Sequence, residues 1–214
     1  TYLLDRIRNI KTVRMAVAGA DSLIALQGAR QAADSGVIEP VLIGGADEIR
    51  SLAHTIGWDI TSIQIVDAEG EAKAPAEAVA LAKSGEVSVL MKGHVHTDSL
   101  MKAVVDRKAG LRTGRRLSHI FHMTVPESER VLMITDGAVN VAPNTATKVD
   151  IINNAAQLSH ALGNTMPLVA VLSGTESVIN SMPSSVDAAE VVKRANNGEV
   201  TGAVVDGPFA FDNA

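Results

Sequence analysis

Four short apolar runs, each followed by a longer amphipathic segment, restrict the first half of this chain to one kind of architecture. Residues 15–18, 40–43, 62–66 and 87–91 read as strands. After the first, Gly19, Ala20 and Asp21 turn into a helix on which Leu23, Leu26, Ala29, Arg30 and Ala33 recur at helical spacing up to Gly36. Gly44 and Gly45 lead into a second helix ending near residue 56, and residues 72–84 form an alanine-rich helix stopped by Gly85. After the fourth run, whose β-branched residues suggest a buried strand, Thr97 or Asp98 is placed to cap a helix with the stripe Leu100, Met101, Val104 and Val105. Strand, helix and strand joined by short connections are the sequence form of right-handed βαβ units, so the expected fold class is an α/β sandwich with a mainly parallel sheet.

Ligands of such folds gather at the carboxyl ends of the strands. That rule puts residues 19–22, 44–47 and 92–97 on one rim, and only the third turn carries cations. Lys92, Gly93, His94 and His96 precede a helix start whose backbone N–H groups are expected to be free, which suits an anion. Between Lys92 and Arg116 seven Lys and Arg face two Asp, a net charge of plus five in a chain whose total is minus five. Arg forks grip phosphate oxygens bidentately and Lys supplies a mobile point charge, so a phosphorylated ligand accounts for the segment; a solvated helix face would account for any single cation in it.

Near Arg116 the texture changes. Residues 117–123 and 131–134 read as antiparallel strands joined by a turn at Pro126, Glu127, Ser128 and Glu129. A loop over 136–144, a helix over 147–162, a strand over 168–172, a helix over 185–196 and a strand over 203–206 follow, with Gly207, Pro208 and Phe209 turning the chain. The expected organisation is a first α/β lobe over residues 1–116 with a parallel sheet, and a second over 117–214. Asp206, at a strand end, and the loop residues Asp136, Asn140, Asn144 and Thr145 are first of all turn and cap formers. A strand closing so near Ala214 suggests a continuation, and a chain starting at Thr1 leaves room for residues upstream.

Composition removes several classes of function. Cysteine is absent, so disulfides, thiolate metal sites and a cysteine nucleophile are excluded; any thiol must arrive with a substrate. Aromatics make up only 2% of residues, which leaves no base-stacking platform, and the acidic total argues against a nucleic-acid track. No run approaches the length of a membrane span and no signal-peptide pattern opens the chain, so a cytoplasmic location is expected. The pattern Gly-x-x-x-x-Gly-Lys-Ser/Thr, the dinucleotide glycine fingerprint, the Gly-x-Ser-x-Gly elbow and the His-Glu-x-x-His helix are all missing. The pairs His94/His96 and His119/His122 lack a third metal ligand, and His119 and His122, three apart in a strand-like run, face opposite sides.

Five segments in this order carry a specific resemblance: VLMKGHVHTDSLMKAVV, GLRTGRRLSHIFHM, ITDGAVNVAPNTATKVDIINNA, PSSVDAAEVVKRANNGEVTG and VVDGPFAFDNA. Over nearly the whole chain they resemble the phosphate acetyltransferase and phosphate butyryltransferase family. The resemblance implies reversible transfer of a short acyl group between coenzyme A and inorganic phosphate, acetyl ahead of butyryl, by direct attack within a ternary complex. It implies two α/β/α lobes flanking a cleft, similar to isocitrate and isopropylmalate dehydrogenases, and a homodimer or larger homo-oligomer. No metal or redox cofactor is implied, coenzyme A being a substrate, and neither nucleic acid nor membrane is an expected partner.

The substrate-binding residues implied are Lys92, Gly93, His94, His96, Thr97, Lys102, Arg112, Arg115 and Asp206. Relatives carry an acid/base Asp with a Ser and an Arg in a segment beyond the VVDGPFAFDNA motif, so no catalytic residue is assigned at any position up to Ala214. Lys102 departs from the pattern, standing where acetyl-specific relatives carry a substrate-binding Arg. A competing reading is a non-catalytic acyl-CoA-binding and oligomerisation module like the C-terminal domain of large malic enzymes. A hydroxyacid dehydrogenase of similar fold would need nicotinamide fingerprints and metal-binding carboxylates, which are lacking.

Overall fold

The structure, a computed structural model, describes residues 2–7, 10–125 and 130–213, without the side chains of residues 2, 4, 5 and 213. The chain divides into two units, Thr1–Thr113 and Gly114–Ala214. The first unit runs α1 (Tyr2–Ile7), β1 (Val13–Ala18), α2 (Leu23–Asp34), β2 (Ile38–Gly44), α3 (Ala46–Thr55), β3 (Gln64–Asp67), α4 (Lys73–Ser84), β4 (Val89–Lys92) and α5 (Thr97–Val104). Helix α1 carries no periodic signal long enough to be read from sequence. The strands form one parallel sheet in the order β3-β2-β1-β4.

Alternation along the strands sends successive side chains to opposite faces, and helices cover both. Val17 and Leu42 meet Leu26 and Ala29 of α2 and Ile49 and Ala53 of α3. Ala16, Ala18, Val41 and Ile43 meet Ala74 and Ala78 of α4, small residues on both sides of that contact. Leu26, Leu42, Ile43 and Ile49 are fully buried, each worth about 1.5–3 kcal/mol relative to exposure. Gly85, at φ 81°, ends α4 in the left-handed conformation that glycine adopts without a Cβ penalty. Strand β4 departs from expectation: it pairs with β1 alone among the described residues, lies at the sheet edge and is half-buried with Lys92 exposed.

The second unit contains β5 (Phe121–Thr124), β6 (Val131–Ile134), α6 (Thr145–Ala161), β7 (Leu168–Leu172), α7 (Pro183–Arg194) and β8 (Val204–Phe209). Strands β5 and β6 pair antiparallel, Phe121 opposite Ile134, while β7 and β8 pair in parallel. The connecting turn at 126–129 lies outside the described residues. Val149 and Ile152 of α6, Val191 of α7 and Val205 of β8 form the core of this unit. Helix α6 starts two residues earlier than read from sequence, because Asn144 caps it by accepting the Thr147 N–H at 2.9 Å.

Two expectations for this unit are corrected. Residues 117–120 are not strand: the Leu117 carbonyl accepts from the Asn140 side chain, the His119 N–H goes to Asp136 and its carbonyl to the Thr135 hydroxyl. Side chains thus engage groups that a ladder would have used. Gly207, Pro208 and Phe209 do not turn the chain either; they continue β8 past a register shift opposite Ala170 and Leu172. A Cβ at Gly207 would come within 2.6 Å of the Val171 carbonyl oxygen, so the irregular strand needs a glycine there.

Candidate functional site

From β1 the chain steps outward to β2 and β3, then returns to the other side of β1 as β4. The topological switch point of this sheet therefore lies between β1 and β4, where Ala18 is the register partner of Lys92. The turns leaving these strands meet backbone to backbone. Gly93 N–H donates to Ala18 O at 2.8 Å and His94 N–H to Gly19 O at 2.7 Å. A Cβ on Gly93 would lie 2.9 Å from Ala18 O and would overlap the Gly19 carbonyl. Close packing of two turns accounts for Gly93 before any ligand does.

Lys92, Gly93, His94, His96 and Thr97 are brought together on this one turn, but its donors are less free than the sequence suggests. Lys92 Nζ donates to Val95 O at 3.0 Å, folding the side chain back over its own turn. Neither Thr97 nor Asp98 caps α5; His96 is the N-cap residue, without a side-chain cap bond. The cap is supplied from elsewhere. Glu71, in the loop before α4, accepts the His96 N–H on Oε2 at 3.0 Å and the His96 ring Nδ1 on Oε1 at 2.9 Å. Its carboxyl is held below the ordinary range, chiefly by that backbone N–H, against the opposing effect of burial and with help from the His96 ring and the Ser99 hydroxyl. Along the rim, the Gly45 N–H donates to Asp21 and the Ala46 N–H to Asp67, both at 3.0 Å. The N-termini of α3 and α5 thus both carry internal carboxylates.

His94 is exposed beside Lys92, and Thr97 is exposed in the first turn of α5. Lys102 sits in the last turn of α5, at the end away from the rim. The stripe of α5 is half-buried at Leu100, Met101 and Val104, but Val105 falls past the helix end and is exposed. Arg112 closes the first unit after a tightly wound loop. There Asp106 accepts the N–H groups of Lys108 and Ala109, which lower its carboxyl's pKa, Ala109 foremost, and Lys83 binds the Lys108 carbonyl.

Arg115 and Asp206 belong to the second unit. Arg115 donates to Asn154 and Gln157 of α6 at 3.3 and 3.2 Å, and its neighbour Arg116 donates its N–H to Asp150 at 3.0 Å. Asp206 lies within β8 rather than at its end, and accepts the Gly207 N–H at 2.8 Å. Asp136 acts as a turn former, accepting the N–H groups of His119, Ala138, Val139 and Asn140. Burial would raise its pKa, but these bonds and the Asn140 side chain outweigh it and leave the carboxyl below its ordinary range.

His119 and His122 are both half-buried, with His119 edge-on to Phe121 at 4.3 Å. Among the described residues no group of three or more His, Asp or Glu side chains is placed to hold a metal, and no helix is long and apolar enough to cross a membrane. A hollow lined by Arg50, Ile60, Thr61, Ile63 and Ile65 opens at the amino-terminal side of β3, away from the rim.

Residues missed by sequence reasoning are Glu71, Asp21 and Asp67. An acid before an alanine-rich helix reads as a first-turn charge for that helix, and nothing local links Glu71 to a histidine 25 residues away.

A parallel α/β unit with a polar turn at its switch point belongs to the class of folds that bind ligands at the carboxyl ends of their strands. The comparisons narrow that class: residues 71–214 match the family described as phosphate acetyl/butaryl transferase, and the chain belongs to it. The phosphate acetyltransferase of Rickettsia prowazekii (strain Madrid E) is 44% identical over 213 residues, covering 99% of this chain and 61% of that protein. The phosphate butyryltransferase of Clostridium beijerinckii is 38% identical over 212 residues, covering 99% of this chain and 70% of that one. Among solved structures, a branched-chain phosphotransacylase from Enterococcus faecalis V583 superposes with a TM-score of 0.80 at 28% identity, covering 94% of this chain and 70% of its own. The chain therefore spans 61% of the length of the phosphate acetyltransferase from Rickettsia prowazekii.

Proposed function

We propose that the intact protein is an acyltransferase exchanging a short acyl group between coenzyme A and inorganic phosphate, acetyl ahead of butyryl. One observation carries this reading: the stretch matching the family, residues 71–214, contains the whole turn 92–97 that sits at the switch point of the sheet. A phosphate oxygen attacks the thioester carbonyl, the C–O bond forms, the C–S bond breaks, and the thiolate leaves to take up a proton. In reverse, the thiolate attacks the acyl phosphate. A free thiol with a pKa of about 8.5 is mostly protonated at neutral pH, so the reverse direction needs a base beside a cation. The chain itself has no cysteine, in keeping with a thiol that arrives with the substrate.

In this proposal Lys92, His94, His96, Thr97, Lys102, Arg112 and Arg115 bind substrate, Gly93 shapes the turn and Asp206 offers a carboxylate from β8. No acid/base residue is assigned among these 214 residues. The fold is of the isocitrate and isopropylmalate dehydrogenase-like class, in a cytoplasmic homo-oligomer that uses no metal or redox cofactor. The α/β architecture with a parallel sheet and the likeness to the Enterococcus faecalis phosphotransacylase support this reading.

The test is thiol release from coenzyme A thioesters of graded acyl length by the complete protein, with and without phosphate. Release that depends on phosphate and is fastest with acetyl is the expected outcome; discrimination by one methylene is worth only about 1–3 kcal/mol, so butyryl turnover should be slowed rather than abolished. Tight binding of acyl-CoA without turnover would favour the non-catalytic module instead.

A further inference from the structure

We infer that Glu71 is a positioning residue of this site: its carboxylate keeps the His96 proton on Nδ1 and so presents Nε2 as a hydrogen-bond acceptor to a donor group of the coenzyme A substrate. The inference rests on the acyl-transfer reading for its ligand, and on the geometry of one contact for its chemistry. An ionised carboxylate has acceptor lone pairs and no proton to give. With Glu71 Oε1 at 2.9 Å from Nδ1, that nitrogen must carry the hydrogen of the contact. In the neutral ring the lone pair is then on Nε2, and the His96 side chain is 84% exposed, so this nitrogen is available at the rim.

Glu71 is itself fixed in place. Its second oxygen accepts the His96 backbone N–H at 3.0 Å, so one carboxylate grips both the main chain and the ring of the same residue. That double grip sets the ring orientation as well as the tautomer, in the way a carboxylate orients a ligating or catalytic histidine elsewhere. Ser99 of α5 also donates to the Glu71 carboxylate, which adds to its fixing. A neutral Nε2 acceptor favours the substrate richer in donors. The phosphate dianion keeps a single P–OH among acceptor oxygens, whereas the coenzyme A arm offers two amide N–H groups and, in the free form, an S–H. Lys92, the one formal cation of the turn, suits the phosphate; His96 suits the arm.

Nitrogen-15 NMR of the imidazoles in the unmodified chain, recorded with rising pH until the His96 shifts no longer change, reads the tautomer of the neutral ring without any variant. His96 with a protonated Nδ1 and an unprotonated Nε2 is the expected spectrum, and the opposite tautomer overturns the inference. Glu71→Gln supplies the second arm. Its amide oxygen can still accept the His96 backbone N–H, while its NH2 donates to Nδ1 and moves the proton to Nε2.

In the complete enzyme this variant should raise the KM for acyl-CoA about five- to tenfold, leave the KM for phosphate within about twofold, and add nothing to His96→Ala in the double variant. Equal rises for both substrates, or no rise at all, would reduce Glu71 to a structural cap and overturn the positioning role. Absence of phosphate-dependent turnover in the unmodified protein would overturn the acyl-transfer reading and the coenzyme A half of this inference, while the spectrum alone decides the Glu71 half.

Discussion

At Gly93 the turn after β4 lies against the turn after β1 with no room for a methyl group, so one hydrogen atom decides whether the rim can close. Gly93→Ala should cost about 1–3 kcal/mol, as overpacking of a tight site does, with the polypeptide rather than a flexible side chain obliged to move. Gly114→Ala, where an added Cβ meets nothing within 4 Å, should change stability by less than about 0.5 kcal/mol. Urea denaturation of the two variants against the parent checks the contrast; equal midpoints would mean the turns are not so closely packed. Asp136 makes a different kind of statement. Its folded pKa lies below the unfolded value of about 3.9, so its contribution is complete above that value and is lost as pH falls through the lower, folded one. Carbon NMR titration of the Asp136 carboxyl should therefore give a midpoint below about 3.9, and an ordinary midpoint would mean the N–H groups gathered on it are not bonded in solution.

Helices α5 and α6 begin with different chemistry. Asn144 caps α6 with its own side chain, so Asn144→Ala should destabilise by about 1 kcal/mol in thermal or urea unfolding. Thr97→Ala should change it by less than about 0.5 kcal/mol, since Thr97 is the first helical residue of α5 and not its cap. A large loss at Thr97 would return the cap to the residue that sequence alone favours. This difference reflects how much of the molecule is legible in its order of residues. The elements from β1 to α4 are readable because apolar periods of two and 3.6 alternate cleanly and because Gly36 and Gly85 stop their helices. What fails are contacts between distant residues. The burial of β4 depends on how many strands flank it, which apolar composition does not reveal. Residues 117–120 look like strand until Asp136, Thr135 and Asn140 engage their backbone. Gly207 and Pro208 look like a turn until Val171 opposes them across a register shift. At the candidate site, the cationic turn 92–97 stands out because it is local, and Glu71 does not because its partner is 25 residues away.

In the molecule as a whole, a basic segment crosses from the first unit into the second, and its charges are unequally engaged. Lys92 is folded onto its own turn, and Arg115 is bonded to α6, whereas His94, Lys102 and Arg112 stand exposed at the surface of the first unit. On the proposed acyl transfer, Arg115→Ala in the complete protein should raise the KM for phosphate about tenfold or more, the scale of a charge-assisted hydrogen bond, with kcat less affected. Unchanged kinetics would confine Arg115 to holding α6. The central claim is that the turn between β4 and α5, at the switch point of the parallel sheet, receives the substrates of an acyl phosphate-forming enzyme. Backbone amide chemical-shift mapping of the protein titrated with phosphate and then with coenzyme A tests it most directly. Saturable shifts centred on residues 92–97, with smaller ones at 19–22, are the expected result. Saturable shifts elsewhere that leave 92–97 untouched would contradict it.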